Sequence, residues 1–391
     1  MKCKLFIIVS FVSAVLLNSR CKKAEIVNTK DTGCSFADSS SKHPKYLALN
    51  ALMQKYIRKG LPGMSILIQD SNGVCVGSCG LADIESSVKF SPCQVSKAAS
   101  ITKLLVGSMV LKLQEEGKLN INDPINKYID QTILKRLKNS EGKTMKQLMN
   151  HSTGIYDLTE SSDFYLAVIN NPTKRWTPEE LLEFAYDKEP EPLSDMYPSN
   201  YSNTNTALLI MCVEKITGEN HLHTLRRYIL DPLGMTNTYY QSRESVPSSA
   251  AQGYYDLHSD GTLSNVSNFI TGSGNGYGGI FSNIYDLHKF SMALFKKKTL
   301  LSAASLNQML EFNHEDDDFY CGVSTIKKFT KKQYYGIGHT GRDLGYSADL
   351  FYFPEKRCTM IFFVNYGTNA KSALKSVFLE FESELCDLTI Q

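Results

Sequence analysis

The chain has 391 residues, 42% hydrophobic and 21% charged, an ordinary soluble composition that excludes collagen-like, coiled-coil and wholly disordered chains. Its 42 basic and 40 acidic residues leave a formal charge of +2, so nothing electrostatic points to nucleic acid as a partner. The 10 cysteines are too dilute for a disulfide scaffold in a chain long enough to bury its own core.

Lys2 and Lys4 precede an apolar run at 5–17, interrupted only by Ser10 and Ser13. The run is shorter than the roughly 20 residues of a membrane-spanning helix. A basic start before a short apolar stretch is the pattern of a secretory signal, here over 1–20. Its removal takes Lys2, Lys4 and Arg20 and no acid, so the slight basicity belongs to the export segment. Cys21 follows directly and resembles a bacterial lipoprotein site, although Arg20 departs from the small residues usual there. The expectation is export to the periplasm, or a membrane tether through a lipidated Cys21, with simple secretion as the alternative. Residues 21–42 are polar and aperiodic and read as a flexible tether, which leaves 43–391 for the catalytic domain. Export permits disulfides. Cys75 and Cys79, four apart in a strand, lie roughly 13 Å apart and cannot bridge each other. Other pairings stay open.

Apolar periodicity predicts a helix over 44–59, then a hairpin of strands 64–69 and 74–81 about Ser71-Asn72-Gly73. Further helices are predicted over 100–116, 144–150, 178–186, 203–217 and 284–295. Strands follow over 319–326, 334–338, 348–353 and 358–364, and a closing helix over 370–386. A lone hairpin is marginally stable, so the N-terminal pair is expected to join the C-terminal strands in one antiparallel sheet. The terminal helices would cover its apolar face. The fold class is therefore α+β, with a mainly helical subdomain over about 99–318 and an active-site cleft where it meets the sheet.

Several motifs are absent. There is no Gly-x-Ser-x-Gly elbow, no Walker loop and no His-Glu-x-x-His. Gly274 to Gly279 fits Gly-x-Gly-x-x-Gly but lacks a parallel βαβ setting, so it is not read as a dinucleotide site. His221 and His223 lack a third ligand of clear spacing, and the acidic run Glu315 to Asp318 reads as a solvated loop.

Three short elements carry the chemistry. Ser100-x-x-Lys103 also occurs from six other serines, but only Ser100 opens a long apolar-periodic helix. There the hydroxyl sits near unpaired backbone donors, with Lys103 one turn on and on the same face. A lysine in a dry cleft loses proton affinity, and can take the serine proton or stabilise a tyrosinate that does so. The bland reading is an N-cap serine beside an exposed lysine. Tyr201-Ser202-Asn203 is the chain's one Tyr-x-Asn, at a loop-to-helix junction that can aim a phenol and an amide into a cleft. The bland reading there is a capping Asn and a packed Tyr. His339-Thr340-Gly341 follows the short strand 334–338 and precedes Arg342-Asp343. Gly341 would let substrate backbone approach a sheet edge, and Thr340 and Arg342 would hold a substrate carboxylate. His339 would donate hydrogen bonds and titrate near neutral pH.

In this order the three elements resemble the penicillin-recognising serine hydrolases, in the branch of class C β-lactamases, serine D-Ala-D-Ala carboxypeptidases and related esterases. Asn150-His151-Ser152-Thr153-Gly154, Pro232-Leu233-Gly234-Met235 and Gly278-Gly279-Ile280-Phe281-Ser282 extend the likeness, which covers roughly 47–385. The resemblance implies a β-lactamase/transpeptidase-like fold and an acyl-enzyme mechanism with no metal and no cofactor. It implies Ser100 as nucleophile, Lys103 as its activator and Tyr201 as acid/base partner. Asn203, His339, Thr340, Gly341 and Arg342 become substrate contacts, with the backbone N–H groups of Ser100 and Arg342 as oxyanion hole. Class C β-lactamases usually carry lysine where this chain has His339. His-Thr-Gly is similar to the version in some D-Ala-D-Ala carboxypeptidases. The implied substrates are therefore small peptides or esters. The alternatives are a class C-like β-lactamase acting on β-lactam antibiotics, and a non-catalytic scaffold that binds cell-wall peptide.

Overall fold

The computed structural model describes residues 29, 30, 34, 40–368 and 371–391. The predicted signal at 1–20, Cys21 and most of the 21–42 tether lie outside these residues, as does the start of the closing helix at Ala370.

A nine-stranded antiparallel sheet forms the platform. Its spatial order is Val88–Lys89, Gly73–Asp83, Gly63–Asp70, Cys358–Val364, Tyr346–Phe353, Gly336–Asp343, Ile326–Lys328, Phe319–Cys321 and Asn313–Asp316. The hairpin joins the C-terminal strands through Gly63–Asp70, whose Ile66 lies opposite Phe362. The sheet is therefore the single one predicted. Its strands alternate with the period-2 pattern of two covered faces. Ile66, Ile68, Phe351, Phe353, Met360 and Phe362 pack under the terminal helices Tyr46–Arg58 and Ala373–Ile390, against Tyr56, Phe378 and Phe381. Leu67, Leu350, Ile361 and Phe363 face the other way, into the larger core shared with the helical layer.

The Ile101–Glu115 helix is buried on nearly every side, which is why its amphipathic signal is weak and its apolar content high. Asn203–Thr217 has the bounds predicted and ends at Gly218 in the left-handed region, φ 69°. Two predicted elements change. The 178–186 helix stops at Leu182, opened by a Thr177/Glu180 capping box but too short to propagate. The single strand at 319–326 is two strands, because Gly322 and Ser324 (φ 55°) turn the chain back on itself. The first half of the acidic run departs from a solvated loop, since Asn313–Asp316 is the edge strand paired with Phe319–Cys321, while Asp317 and Asp318 form the turn between them.

Cys34 and Cys93 form the disulfide among the described residues, while Cys75 and Cys79 do not bridge each other.

Candidate active site

Ser100 occupies the N-cap position of the Ile101–Glu115 helix, yet its side chain makes no capping hydrogen bond. The capping reading therefore fails, and the hydroxyl instead accepts a hydrogen bond from Lys103 Nζ at 3.1 Å. Ala99, just before it, holds φ 47°, a left-handed conformation costly for a residue with a Cβ. Thr102 steadies that bend by donating both its N–H and its hydroxyl to the Ala99 carbonyl.

Lys103 is 1% exposed, and no carboxylate among the described residues forms an ion pair with its ammonium. It donates at 2.7 Å to Asn203 Oδ1 and at 2.7 Å to the Tyr277 carbonyl. Burial lowers its pKa to about 7, and the charges of Asp157 and Asp343 hold it from falling further. Asn203 in turn donates through Nδ2 to Asp157 at 3.0 Å and to Thr159 at 3.1 Å, which fixes the orientation of its amide. Tyr277 comes from the Gly-rich segment. Glycine is required there because a Cβ on Gly279 would stand 2.5 Å from the Gly274 backbone. That segment is thus the back wall of the site.

Tyr201 stacks on His151 with ring centroids 4.3 Å apart and lies beneath Lys103, whose Nζ is 4.9 Å from the ring centre. His151 Nδ1 accepts the Ser202 N–H at 3.1 Å, so the ring braces both the face and the backbone of the Tyr201 loop. Burial pushes the Tyr201 phenol well above its ordinary range, with the Ser100 hydroxyl drawing it partly back. The phenol makes no geometrically sound hydrogen bond among the described residues. Glu315 Oε1 accepts the Tyr201 N–H at 2.7 Å, and Cys321 donates its thiol to Glu315 Oε2 at 2.7 Å. We predict that Glu315→Ala leaves that N–H unpaired and lowers kcat about tenfold with little change in KM. Glu315→Gln, which keeps an accepting oxygen, should restore most of the loss. Steady-state kinetics on the pair checks this.

The Gly336–Asp343 strand pairs on one side from Ile337 to Asp343, but on the other only from Gly336 to Gly338. His339 to Arg342 therefore form a free edge facing the Ser100 helix. Two expectations need correcting here, those for His339 and Arg342. His339 is buried and beside the Lys103 charge, which lowers its pKa to about 3, so it is neutral at physiological pH and no neutral-pH titrator. Gly341 is required by the protein's own packing, since a Cβ there would meet the Ala98 carbonyl oxygen 2.1 Å away. The Arg342 guanidinium is spent elsewhere, on Asp349 at 2.8 Å and Glu382 at 2.6 Å, with its plane 4.8 Å from the Phe378 ring. Strand alternation sends that side chain toward the Ala373–Ile390 helix.

Ser100, Lys103, Tyr201, Asn203 and His339 thus converge. A small pocket of about 70 Å³ lies in front of Ser100, lined by Thr159, Phe164, Tyr165, Ser273 and the Arg342–Asp343 segment among others. Sequence reasoning missed Asp157, Glu315, the His151 brace and the Tyr277 carbonyl. The first three act through other residues, and the last is a backbone atom that no residue-type signal could have revealed.

The chain has relatives among known proteins. Protein flp of Staphylococcus aureus (strain N315) is 28% identical over 208 residues, 53% of this chain and 40% of that protein. The chain thus matches less than half the length of that relative. PbpX of Bacillus subtilis (strain 168) is 26% identical over 296 residues, 73% of this chain and 69% of the relative. The crystal structure of a D-stereospecific amidohydrolase from Streptomyces sp. superposes with a TM-score of 0.74 at 24% identity, over 83% of this chain and 95% of that one. The sequence profile of the family described as Beta-lactamase matches residues 49–381, and the chain belongs to that family of serine hydrolases.

Proposed function

We propose that this hydrolase forms an acyl-enzyme on Ser100 with small amides or esters. The observation that carries the reading is Lys103, buried and held 3.1 Å from Ser100 Oγ by two uncharged acceptors. The environments of the two proton carriers are pushed in opposite senses. Lys103 is lowered to about 7 and Tyr201 is raised well above 10. Neutral Lys103 is therefore the base that takes the Ser100 proton, and Tyr201 keeps its proton as the donor to the leaving group. The tyrosinate route needs a phenol lowered toward neutrality, and burial moves it the other way. As Ser100 Oγ bonds to the carbonyl carbon, the oxygen that becomes negative is met by the backbone N–H groups of Ser100 and Arg342. Expulsion of the protonated leaving group leaves the ester, the proton that Lys103 took passes back to Tyr201, and water then cleaves the ester to a free acid and the Ser100 hydroxyl. Export, suggested by the 1–20 pattern, agrees with a Cys34–Cys93 disulfide.

Rapid mixing with a p-nitrophenyl ester tests this: a burst of nitrophenolate equal to the enzyme concentration supports it. A linear trace with no burst and no trapped adduct argues against it. Tyr201→Phe should lower amide turnover by about 10²- to 10³-fold. It should barely slow nitrophenyl esters, whose leaving group needs no proton. Comparing kcat on the two substrate types reads this split.

A further inference from the structure

The pocket before Ser100 has charged residues on its wall but no charge left to offer a ligand. Arg342 and Asp343 are the ionisable acid and base groups on its lining besides the phenols of Tyr165 and Tyr277. Arg342 Nη1 donates to Asp349 and to the Gly341 and Ala348 carbonyls, and Nη2 to Glu382. Glu382 also binds Lys328 at 2.7 Å, so this is a closed cluster behind the sheet. Asp343 is equally committed. Its Oδ2 accepts from Lys97 at 2.7 Å and from Thr271 at 3.1 Å, and its Oδ1 accepts the Leu344 N–H at 2.8 Å. Lys97 is itself 1% exposed, so its ammonium is not open to a ligand, and what Asp343 turns to the pocket is a carboxylate already paired. Behind the nucleophile, His339 is neutral and Lys103 is held by Ser100, Asn203 and Tyr277. The rest of the wall is phenyl, hydroxyl and amide, including Phe164, Thr159, Ser273 and Asn203.

A ligand carboxylate entering here would lose water and gain no cation among the described residues. An unpaired buried ion is far more costly than an uncharged polar group that can use those hydroxyls. We infer that the pocket selects substrates that are uncharged where they enter it, amides and esters, over peptides that end in a free carboxylate. This rests on the acyl-enzyme reading and narrows it. It also moves the expected activity away from a carboxypeptidase, which must accept a terminal carboxylate beside the scissile bond.

The test uses the whole protein and three matched ligands, acetyl-D-Ala-D-Ala as free acid, as terminal carboxamide and as methyl ester. Each is titrated as a competitor against fluorophosphonate labelling of Ser100, so the readout does not depend on turnover. The amide and the ester should halve the labelling rate at concentrations at least about tenfold below the acid. Protection by the acid at equal or lower concentration, or no protection by any of the three, overturns the inference while labelling itself leaves the acyl-enzyme reading standing. A wild-type protein that takes no label removes that reading, and the inference with it.

Discussion

Ser100→Ala will reduce hydrolysis of activated esters and amides by at least about 10⁴-fold while leaving the protein folded. The size follows from the role: an acyl-enzyme route has no substitute nucleophile, and what survives is positioning and oxyanion binding. Stability should barely change, because the Ser100 hydroxyl caps nothing and the hydrogen bond it accepts from Lys103 is one of three that Lys103 donates. Lys103 keeps its other two partners at Asn203 and Tyr277. A melting temperature within a few degrees of wild type, beside lost activity, is the expected pair of results. A variant that kept a tenth or more of wild-type turnover would exclude Ser100 as nucleophile.

Lys103→Met should be nearly as damaging, about 10³-fold in kcat, because the base is lost while side-chain volume is roughly kept. It carries a structural cost that Ser100→Ala does not. The Asn203 Oδ1 and Tyr277 carbonyl acceptors lose their donor in a buried place, worth about 1–3 kcal/mol each. The pH dependence gives a finer test. The neutral amine is the active form and its pKa is lowered to about 7. Activity should therefore rise as pH rises through about 7, climb about tenfold per unit below it, and level off above it. The charge of Asp157 raises the Lys103 pKa, so Asp157→Asn should shift that rising limb toward lower pH. A limb that moved to higher pH, or a profile flat from pH 5 to 8, would contradict Lys103 as base.

What could be read in advance was what leaves a periodic trace. The marginal stability of a lone hairpin placed the 64–69 and 74–81 strands with the C-terminal strands, and the apolar spacing of Asn203–Thr217 gave its full length. Short turns escaped. One residue in the left-handed region at Ser324 divides what reads as a continuous strand. Side-chain direction escaped as well. Arg342 looked like a carboxylate ligand because its type and its place after Gly341 suit one, but the strand's alternation turns it to Glu382 on a helix 40 residues later. Likewise Glu315 looked solvated in its acidic run, yet the edge strand tucks it beneath the Tyr201 backbone. His339 shows the limit of residue type as a guide to protonation. Its ordinary pKa near 6.5 is lowered to about 3 by burial and by Lys103, neither visible along the chain.

The central claim is that Ser100 becomes covalently acylated. Intact mass spectrometry with a fluorophosphonate, followed by peptide mapping, tests it most directly. One adduct per chain, located on Ser100 in wild type, absent from Ser100→Ala and slowed strongly in Lys103→Met, is the expected result. No adduct under conditions that label other serine hydrolases, or an adduct on a different residue that persists in Ser100→Ala, would contradict the account.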